Sequence, residues 1–367
     1  MPAAEVTIGE LLKDAGYQTA CVGKWDVSSR KEIIDRMPNA QGFDYFWGAL
    51  GANDKGVIEF HENNEAQGSS TDMSMLTRLY TDKAIDFLEN RHEAEKPFLL
   101  YIAHSMMHTN IDASPAFKGK SAGGLYGDVV EEFDFETGRL LDTLDTLGLS
   151  ENTLVIYTTD NGPWCQPRYY ERKMGVAEGI DSAKEPEGWL MPRGTVFWGN
   201  PGALRGGKGS AYEAGSRVPC IVRWPGKVPA GRVSDGLWAT IDFLPTFAAL
   251  AGGKVPEDRI IDGMDQQSLL FGESEKGRGT YIYQHVANGD EGALVGIRDG
   301  KWKLLLPGRK PKKAHRYLED FGTNGLELYD LDADAGETRN LASDFPEVAE
   351  QLRAALENFK EGDMNKL

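Results

Sequence analysis

The sequence has few cysteines and no long apolar run. Three of its 367 residues are cysteines, Cys21, Cys165 and Cys220, and an odd number cannot all pair within one chain. Two of them lie in apolar or β-branched runs typical of core strands, so we predict buried thiols and no disulfide framework. No window approaches the roughly 20 apolar residues of a membrane span, and no charged-then-apolar leader opens the sequence. These features leave the cellular compartment open.

Positive charge is also scarce. Forty Lys and Arg residues stand against 57 Asp and Glu residues, which gives a net charge of −17. Nucleic-acid binding requires clustered Lys and Arg side chains, so this balance argues against broad nucleic-acid binding. The same charge repels an anionic substrate at long range, and a site for such a substrate must therefore collect its cations locally.

Helical and strand patterns alternate through residues 1–274. This alternation is typical of an α/β domain whose mostly parallel sheet is sandwiched by helices. Periodicity predicts helices at 7–15, 75–90, 126–147 and 242–251, and apolar runs predict strands at 19–22, 97–103, 153–159 and 218–224. Within residues 275–367, short strands at 281–285, 293–298 and 301–306 precede a helix at 346–359. They predict a small C-terminal antiparallel sheet packed against one helix.

Residues 163–216 show little periodicity and are rich in Gly, Pro, Trp and Arg. A long irregular connection in a compact domain is typical of a functional lid or insert. We expect Trp164 and Arg168 to contact a substrate, together with Tyr169, Trp189 and Trp198. The alternative is a surface excursion held in place by its tryptophans.

Polar side chains follow three of the predicted strands. Lys24 follows strand 19–22, His104 and His108 follow strand 97–103, and Asp160 and Asn161 follow strand 153–159. Open α/β sheets hold ligands at the carboxyl ends of their strands, so we predict one site there. The oxygens of Asp160 and Asn161 suit Ca²⁺ or Mg²⁺ better than a soft metal. An ordinary Asp-Asn-Gly turn is the alternative interpretation.

Several longer motifs surround these residues. They are Gly-Lys-Trp-Asp at 23–26, His-Ser-Met-Met-His-Thr at 104–109, Leu-Arg-Gly-Gly-Lys-Gly-Ser-Ala-Tyr-Glu at 204–213, Arg-Val-Pro-Cys-Ile-Val-Arg-Trp-Pro-Gly at 217–226, Asp-Phe-Leu-Pro-Thr at 242–246, Glu-Leu-Tyr-Asp-Leu at 327–331 and Glu-Thr-Arg-Asn-Leu at 337–341. Together they resemble the sulfatase family, collinearly from residue 7 to the last helix. The resemblance implies an alkaline phosphatase-like fold and hydrolysis of aryl or carbohydrate sulfates. Many such relatives are periplasmic or secreted.

The resemblance implies a task for each matching residue. Lys24 and Lys208 match the two lysines that grip the sulfate, and His108 matches the histidine that serves the leaving group. Asp160 and Asn161 match half of a calcium shell, with Mg²⁺, Mn²⁺ or Zn²⁺ as alternatives to Ca²⁺. From the residues alone, Lys24 could instead be a solvated strand-end lysine, and Lys208 an exposed lysine in a flexible glycine-rich loop.

The sequence departs from the family pattern at several positions. Asp26 stands where the family usually has histidine, and a carboxylate repels a sulfate oxygen to which an imidazolium could donate. We therefore expect Asp26 either to weaken sulfate binding or to face a metal. Met107 and Asn110 replace the prolines that flank the family's histidine, and His104 is expected to be a structural or rim residue.

The family's nucleophile motif is a further departure. Related sulfatases carry a strand with paired aspartates and a Cys-x-Pro-x-Arg segment whose cysteine becomes formylglycine. Residues 1–16 match the helix that follows those elements, so the resemblance implies an N-terminally truncated chain that lacks this cysteine. Cys165 does not replace it, because Arg168 falls one position early and Tyr169 occupies the required place.

Three functions stay open at this point. The chain could be a sulfatase-like hydrolase impaired by the absent nucleophile, or a phosphodiesterase or phosphomonoesterase of the same superfamily. It could also be a pseudoenzyme that binds an anion, a glycan or a partner. The resembled fold keeps the absent strand inside its sheet, where unpaired backbone groups are costly. We therefore predict a rearranged edge, a segment exchanged within a homo-oligomer, or aggregation.

Overall fold

A computed structural model describes residues 4–27, 33–53, 56–91, 95–108, 110–163, 199–287, 290–307 and 325–359. These residues divide into two compact units. The first unit comprises the described residues up to 153 together with 243–257, and the second comprises the described residues of 154–242 and 258–359. The domain boundary predicted at residue 274 stays a prediction.

The α-helices and β-strands of the described residues have the following bounds. The helices are α1 (Ile8–Asp14), α2 (Leu76–Glu89), α3 (Gly124–Thr146), α4 (Glu213–Ser216), α5 (Phe243–Leu250), α6 (Gln267–Leu270) and α7 (Pro346–Glu357). The strands are β1 (Gln18–Lys24), β2 (Tyr45–Ala49), β3 (Ile58–Glu62), β4 (Glu65–Ser70), β5 (Phe98–Ala103), β6 (Val155–Thr158), β7 (Cys220–Arg223), β8 (Thr280–Ala287), β9 (Asp290–Asp299), β10 (Trp302–Leu305) and β11 (Glu327–Asp330). Among the described residues, no helix is both long and apolar enough to cross a membrane.

The first unit is built on a five-stranded sheet in the order β4-β3-β2-β1-β5. Strand β1 lies parallel to both of its neighbours, β2 and β5, and β3 and β4 extend the sheet in antiparallel fashion. The predicted α/β class with a mostly parallel central sheet is confirmed. The sequence predicted β1 and β5 but not β2, β3 or β4, which supply the antiparallel part.

Helix α1 shows why the predicted helix at 7–15 forms. The Thr7 hydroxyl accepts a hydrogen bond from the Glu10 amide at 3.1 Å, and the Glu10 carboxylate accepts one from the Thr7 amide at 2.8 Å. This capping box satisfies two amides that a helix start otherwise leaves unpaired. Leu11 and Leu12 then pack against Ala248 of α5, which anchors the helix in the core of the first unit.

Strand β5 is much less buried than its neighbour β1. Residues 19–22 of β1 are completely buried. In contrast, each of the six residues of β5, Phe-Leu-Leu-Tyr-Ile-Ala, is at least partly exposed, and Tyr101 is 39% exposed. Within the first unit, β5 pairs with β1 along one edge, and no described strand of that unit pairs with the other. The predicted rearrangement, exchange or aggregation at an open edge stays a prediction.

The second unit contains two antiparallel sheets. Strands β6 and β7 form a two-stranded sheet, and the C-terminal strands form a second sheet in the order β11-β10-β9-β8. Helix α7 covers the C-terminal sheet through a cluster that includes Ile297, Leu304 and Leu352. The predicted C-terminal sheet packed against one helix is confirmed, with β11 as a strand that the sequence did not predict.

The cysteines follow the prediction only in part. Cys21 is a free, fully buried thiol in β1, and burial raises its pKa. Cys220 is free but exposed, so the prediction that it is buried was wrong. It begins β7, a strand of the small two-stranded sheet in which the next residue, Ile221, is 65% exposed. Cys165 lies outside the described residues.

Candidate functional site

Lys24 ends β1 at the carboxyl edge of the first sheet. The residue before it, Gly23, has a φ of 111°, and a Cβ there would lie 2.1 Å from the carbonyl oxygen of Ala103. A Cβ on Gly48 of β2 would in turn lie 1.8 Å from the Gly23 carbonyl oxygen. Glycines at these positions therefore let three strands approach closely, and the site of Lys24 is fixed by that packing.

The residues after Lys24 are also held by the sheet. Trp25 is 4% exposed, and its indole N–H donates to the Arg36 carbonyl oxygen at 3.0 Å. The Asp26 amide donates to the Leu50 carbonyl oxygen at 3.2 Å. Asp26 has a φ of 37°, in the left-handed region where Asp, Asn and His are enriched among non-glycine residues. The backbone therefore accepts either Asp26 or the histidine that the family usually has.

His108 lies in a turn after β5. Its amide donates to the Ser105 carbonyl oxygen at 2.9 Å. The Nδ2 group of Asn53, a fully buried residue, donates to the carbonyl oxygens of His108 and Asn110, each at 3.0 Å. Asn53 therefore fixes the turn that carries the candidate proton donor. Asn53 was not predicted, because an Asn-Asp pair after glycine and alanine looks like an ordinary turn.

His104 is held among aromatic side chains and is not grouped with the candidate site residues. Its ring lies 4.8 Å from that of Phe133 and 5.9 Å from that of Tyr80, measured between centroids. Burial lowers the pKa of His104 to about 4, so the imidazole is neutral near pH 7. This packing agrees with the structural role expected for His104.

Asp160 and Asn161 follow β6 in the second unit. Asp160 is exposed, and the Asn161 Nδ2 group donates to the Gly162 carbonyl oxygen at 2.8 Å, which leaves the Asn161 amide oxygen directed away from that bond. The Gly162 amide donates to the Gly215 carbonyl oxygen at 3.1 Å. A Cβ on Gly162 would lie 1.6 Å from the Ala214 carbonyl oxygen, so this Asp-Asn-Gly corner requires glycine to pack where it does.

Lys208 lies in the loop that packs beside this corner. The Lys208 amide donates to the Pro163 carbonyl oxygen at 2.8 Å. Gly206 and Gly209 have φ angles of 84° and 87°, which bend the loop around Lys208. The second unit therefore brings the backbone of Lys208 next to the segment that carries Asp160 and Asn161.

The two ends of the Lys208 loop are tied to the C-terminal sheet. On the N-terminal side, Arg205 donates to the Tyr329 hydroxyl at 2.8 Å and to the Glu337 carbonyl oxygen at 3.2 Å. The Arg205 guanidinium also stacks 4.0 Å from the Tyr212 ring centre. On the C-terminal side, the Tyr212 hydroxyl donates to a carboxylate oxygen of Glu327 at 3.0 Å.

A buried ionic cluster follows immediately after Tyr212. The Lys303 ammonium lies 2.9 Å from a carboxylate oxygen of Glu213 and 2.9 Å from one of Glu337, and all three side chains are at most 2% exposed. We call these three residues the Lys303 cluster. Burial raises the pKa of Glu337, while Lys303 opposes that increase. Glu213 and Glu337 each stand in a motif that is visible in the sequence, but their contact was not predicted.

A divalent cation fits the candidate site only in part. Asp160 and Asn161 supply hard oxygen donors, which is the chemistry that Ca²⁺ and Mg²⁺ prefer. Two side chains are far fewer than the about six to eight oxygens that Ca²⁺ takes. Within the described ranges, no group of three or more His, Cys, Asp or Glu residues is arranged to hold a metal.

The predicted site residues are divided between the two units. Lys24, Asp26 and His108 belong to the first unit, and Asp160, Asn161 and Lys208 belong to the second. Trp164 and Arg168 lie outside the described residues. The prediction that all of these side chains line one hollow stays a prediction.

Two family profiles match the chain over most of its length. The profile described as sulfatase matches residues 2–253. The profile described as N-sulphoglucosamine sulphohydrolase, C-terminal, matches residues 207–362. Together they include the segments of Lys24, His108, Asp160 and Lys208.

Individual relatives agree with these profiles. Arylsulfatase G of Rattus norvegicus is 29% identical over 96% of this chain and 70% of that protein. N-acetylgalactosamine-6-O-sulfatase of Bacteroides thetaiotaomicron is 30% identical over 97% of this chain and 77% of that protein. A solved structure from work on glycosaminoglycan metabolism by Bacteroides thetaiotaomicron is 28% identical, has a TM-score of 0.79, and is aligned over 97% of this chain and 82% of that one.

The low pKa of His104 predicts a pH dependence of stability. The unfolded chain takes up a proton on this residue as the pH falls through 6.5, whereas the folded chain does so only near pH 4. Stability from this residue is therefore complete above pH 6.5 and falls between these values, by up to about 1.4 kcal/mol per pH unit. We expect His104→Phe to remove this part of the slope in urea unfolding at about pH 7, 6 and 5. Equal slopes for the variant and the parent protein would contradict the assignment.

Proposed function

This chain belongs to the sulfatase family, whose members hydrolyse sulfate esters, and we propose that it binds and cleaves the sulfate ester of a carbohydrate. The observation that carries the proposal is that two lysines, one in each unit, lie in segments whose backbone is held in place. Lys24 ends β1, in which residues 19–22 are completely buried, and Lys208 lies in a loop anchored at both ends. Both lysines stand in motifs of the family.

We propose that Lys24 and Lys208 hold the non-bridging oxygens of the sulfate. Such a group carries a negative charge that the protein's overall charge of −17 repels. Charge-assisted hydrogen bonds from ammonium groups oppose this repulsion at short range. Because the negative charge grows on the departing oxygen during cleavage, a proton donor is also needed. We assign this role to His108, whose turn is held by Asn53.

Asp160 and Asn161 are proposed as part of a divalent-cation site, with Ca²⁺ as the first choice. When bound, such a cation would polarise an ester oxygen. The family's formylglycine nucleophile arises from cysteine in Cys-x-Pro-x-Arg, a pattern that none of Cys21, Cys165 and Cys220 has. We therefore assign to Lys24 and Lys208 the binding of sulfate and to His108 the protonation of the leaving group, and we assign the attack on sulfur to none of these three cysteines.

The proposed substrate class is a sulfated sugar. The Bacteroides relative, 30% identical, carries the name N-acetylgalactosamine-6-O-sulfatase, and this name favours a carbohydrate over a simple aryl ester. Trp164 and Arg168 remain our candidates for contacting the sugar, since aromatic rings and guanidinium groups stack on and donate to sugar rings. A phosphate ester is the alternative substrate, because both centres are tetrahedral oxyanions.

A second candidate function is anion binding without turnover, and Asp26 favours it. A carboxylate at this position removes a donor that the family's histidine would offer to the sulfate. Parallel assays of p-nitrophenyl sulfate, phosphate and phosphodiester, each with and without Ca²⁺, Mn²⁺ and Zn²⁺, would separate the three functions.

Substitution of either lysine tests the proposed sulfate site. We expect Lys24→Ala and Lys208→Ala each to raise the Kd for inorganic sulfate at least about tenfold, because a hydrogen bond to a charged group contributes about 1.5 to 3 kcal/mol. Isothermal titration calorimetry with the full chain measures this change. Lys227→Ala, at an exposed lysine of the second unit, is the control and should bind like the parent protein.

Two results would contradict the sulfate site. One is an unchanged Kd in both alanine variants, which would mean that neither ammonium group contacts the anion. The other is an equal loss in the Lys227→Ala control, which would mean that only the overall charge matters.

Replacing Asp26 by the family's histidine tests the electrostatic role of this position. We expect Asp26→His to lower the Kd for sulfate about tenfold below pH 6, since it exchanges a repelling carboxylate for a donating imidazolium. Asp26→Asn removes the charge without adding one and should give a smaller gain. Titrations at about pH 5.5 and 8 separate the two effects. Weaker sulfate binding by Asp26→His would show that Asp26 does not face the anion.

A further inference from the structure

The Lys303 cluster places one cation and two carboxylates away from water. The ammonium of Lys303 and the side chain of Glu337 are fully buried, and Glu213 is 2% exposed. The Glu213 amide also donates to the Glu337 carboxylate at 2.6 Å, and the Tyr283 ring lies 4.7 Å from the Lys303 ammonium. Burying such charges is costly unless they pair, and a hydrophobic core could often replace them at no loss of stability. Stability alone therefore does not explain why these three charged residues are buried together.

The cluster lies between the Lys208 loop and the C-terminal sheet. Glu213 is the first residue of α4, immediately after the loop that carries Lys208. Lys303 lies on β10 of the C-terminal sheet, and Glu337 follows β11. The cluster thus joins the C-terminal end of the Lys208 loop to the sheet. Arg205 joins the other end of the loop to the same region through Tyr329 and the Glu337 carbonyl oxygen.

The backbone of the Lys208 loop is rich in glycine. Lys208 stands between Gly207 and Gly209, and glycine has the largest backbone entropy to lose on ordering. If the loop were not anchored, its backbone would lose that conformational entropy each time Lys208 bound an anion. A loop anchored at both ends has already lost it, and this preorganisation raises affinity without any new contact to the ligand.

We propose that Glu213, Lys303 and Glu337 are positioning residues that hold the Lys208 loop in its anion-binding conformation. This inference rests on the proposed function of Lys208 as a sulfate ligand. Lys303 is fully buried and acts through the backbone of residues 204–213, whereas Lys208 contacts the anion. When only a fraction of the molecules have the competent loop, the apparent Kd rises by the inverse of that fraction.

The first test compares two lysines of the C-terminal sheet region. Lys303→Met breaks the buried cluster, while Lys301→Met removes an exposed ion pair with Asp330, in which the two side-chain charges lie 2.6 Å apart. We expect the Kd for inorganic sulfate to rise about tenfold in Lys303→Met, as for a loop that is competent in about one molecule in ten. Lys301→Met should bind sulfate like the parent protein.

A milder variant keeps the test decisive if Lys303→Met does not fold. Glu213→Gln preserves the side-chain shape and removes one charge of the cluster. We expect it to raise the Kd for sulfate about threefold. We also expect faster hydrogen exchange of the amides of residues 204–210, measured by mass spectrometry well below the unfolding temperature.

A double-mutant cycle separates positioning from a general structural role. If the cluster acts through Lys208, Glu213→Gln should weaken sulfate binding in the parent chain and have no further effect in Lys208→Ala. A loss of the same factor in both backgrounds would overturn the inference, as would unchanged exchange in residues 204–210.

The same data distinguish the failure of this inference from the failure of the proposed function. If Lys208→Ala itself leaves the Kd for sulfate unchanged, the proposed role of Lys208 fails, and the positioning role fails with it. If Lys208→Ala weakens binding while Glu213→Gln and a folded Lys303→Met do not, only the positioning role is overturned.

Discussion

The proposed function requires that a protein whose own net charge is −17 hold an anion. Long-range attraction cannot help, so binding depends on a few cations whose positions are set before the anion arrives. The two candidate lysines meet this requirement in different ways. Lys24 is placed by a strand that two neighbours approach through glycines, and Lys208 is placed by a loop whose ends are tied to another sheet. We thus propose that close backbone packing positions Lys24 and that buried charge positions Lys208.

Buried ion pairs recur in the second unit, and they have a common form. The Lys303 cluster joins a loop to a sheet, and the pair of Asp242 and Arg278 joins residue 242 to the segment that leads into β8, with 2.9 Å between the charged atoms. Asp242 also accepts hydrogen bonds from the amides of Ala239 and Met264. Such charges contribute little net stability compared with apolar side chains, but removing one partner leaves the other charge buried and uncompensated. They therefore fix irregular segments that apolar contacts alone would hold loosely.

Local patterns account for the part of the fold that the sequence predicted. The predicted helices and most predicted strands have strong periodicity or a dense apolar run, and these signals are local. Strand β4, Glu-Ala-Gln-Gly-Ser-Ser, was missed because Ala66 is its only apolar side chain. The run Tyr-Phe-Trp of β2 was missed because Gly48 cuts it short. The burial of Cys220 was predicted wrongly because an apolar run does not reveal whether its strand lies inside a sheet or in a small exposed one.

The candidate site, like the fold, was predicted from the sequence only in part. Lys24, His108, Asp160 and Lys208 follow from motifs that can be read along the chain. Asn53 and the Lys303 cluster could not be predicted. The partners of Asn53 lie 55 and 57 residues away, and Glu213 lies 90 residues from Lys303 and 124 from Glu337. Interactions at such separations depend on the completed fold, and one sequence read without an alignment does not reveal them.

Locating a bound tetrahedral anion is the most direct measurement of the central claim. Selenate has the geometry of sulfate, and its anomalous X-ray scattering identifies its position in a crystal of the full chain. The account predicts one strong selenium peak with the ammonium groups of Lys24 and Lys208 both within about 3.5 Å of its oxygens. A peak that contacts only one of the two lysines, or a crystal soaked in selenate with no peak near either, would contradict the account.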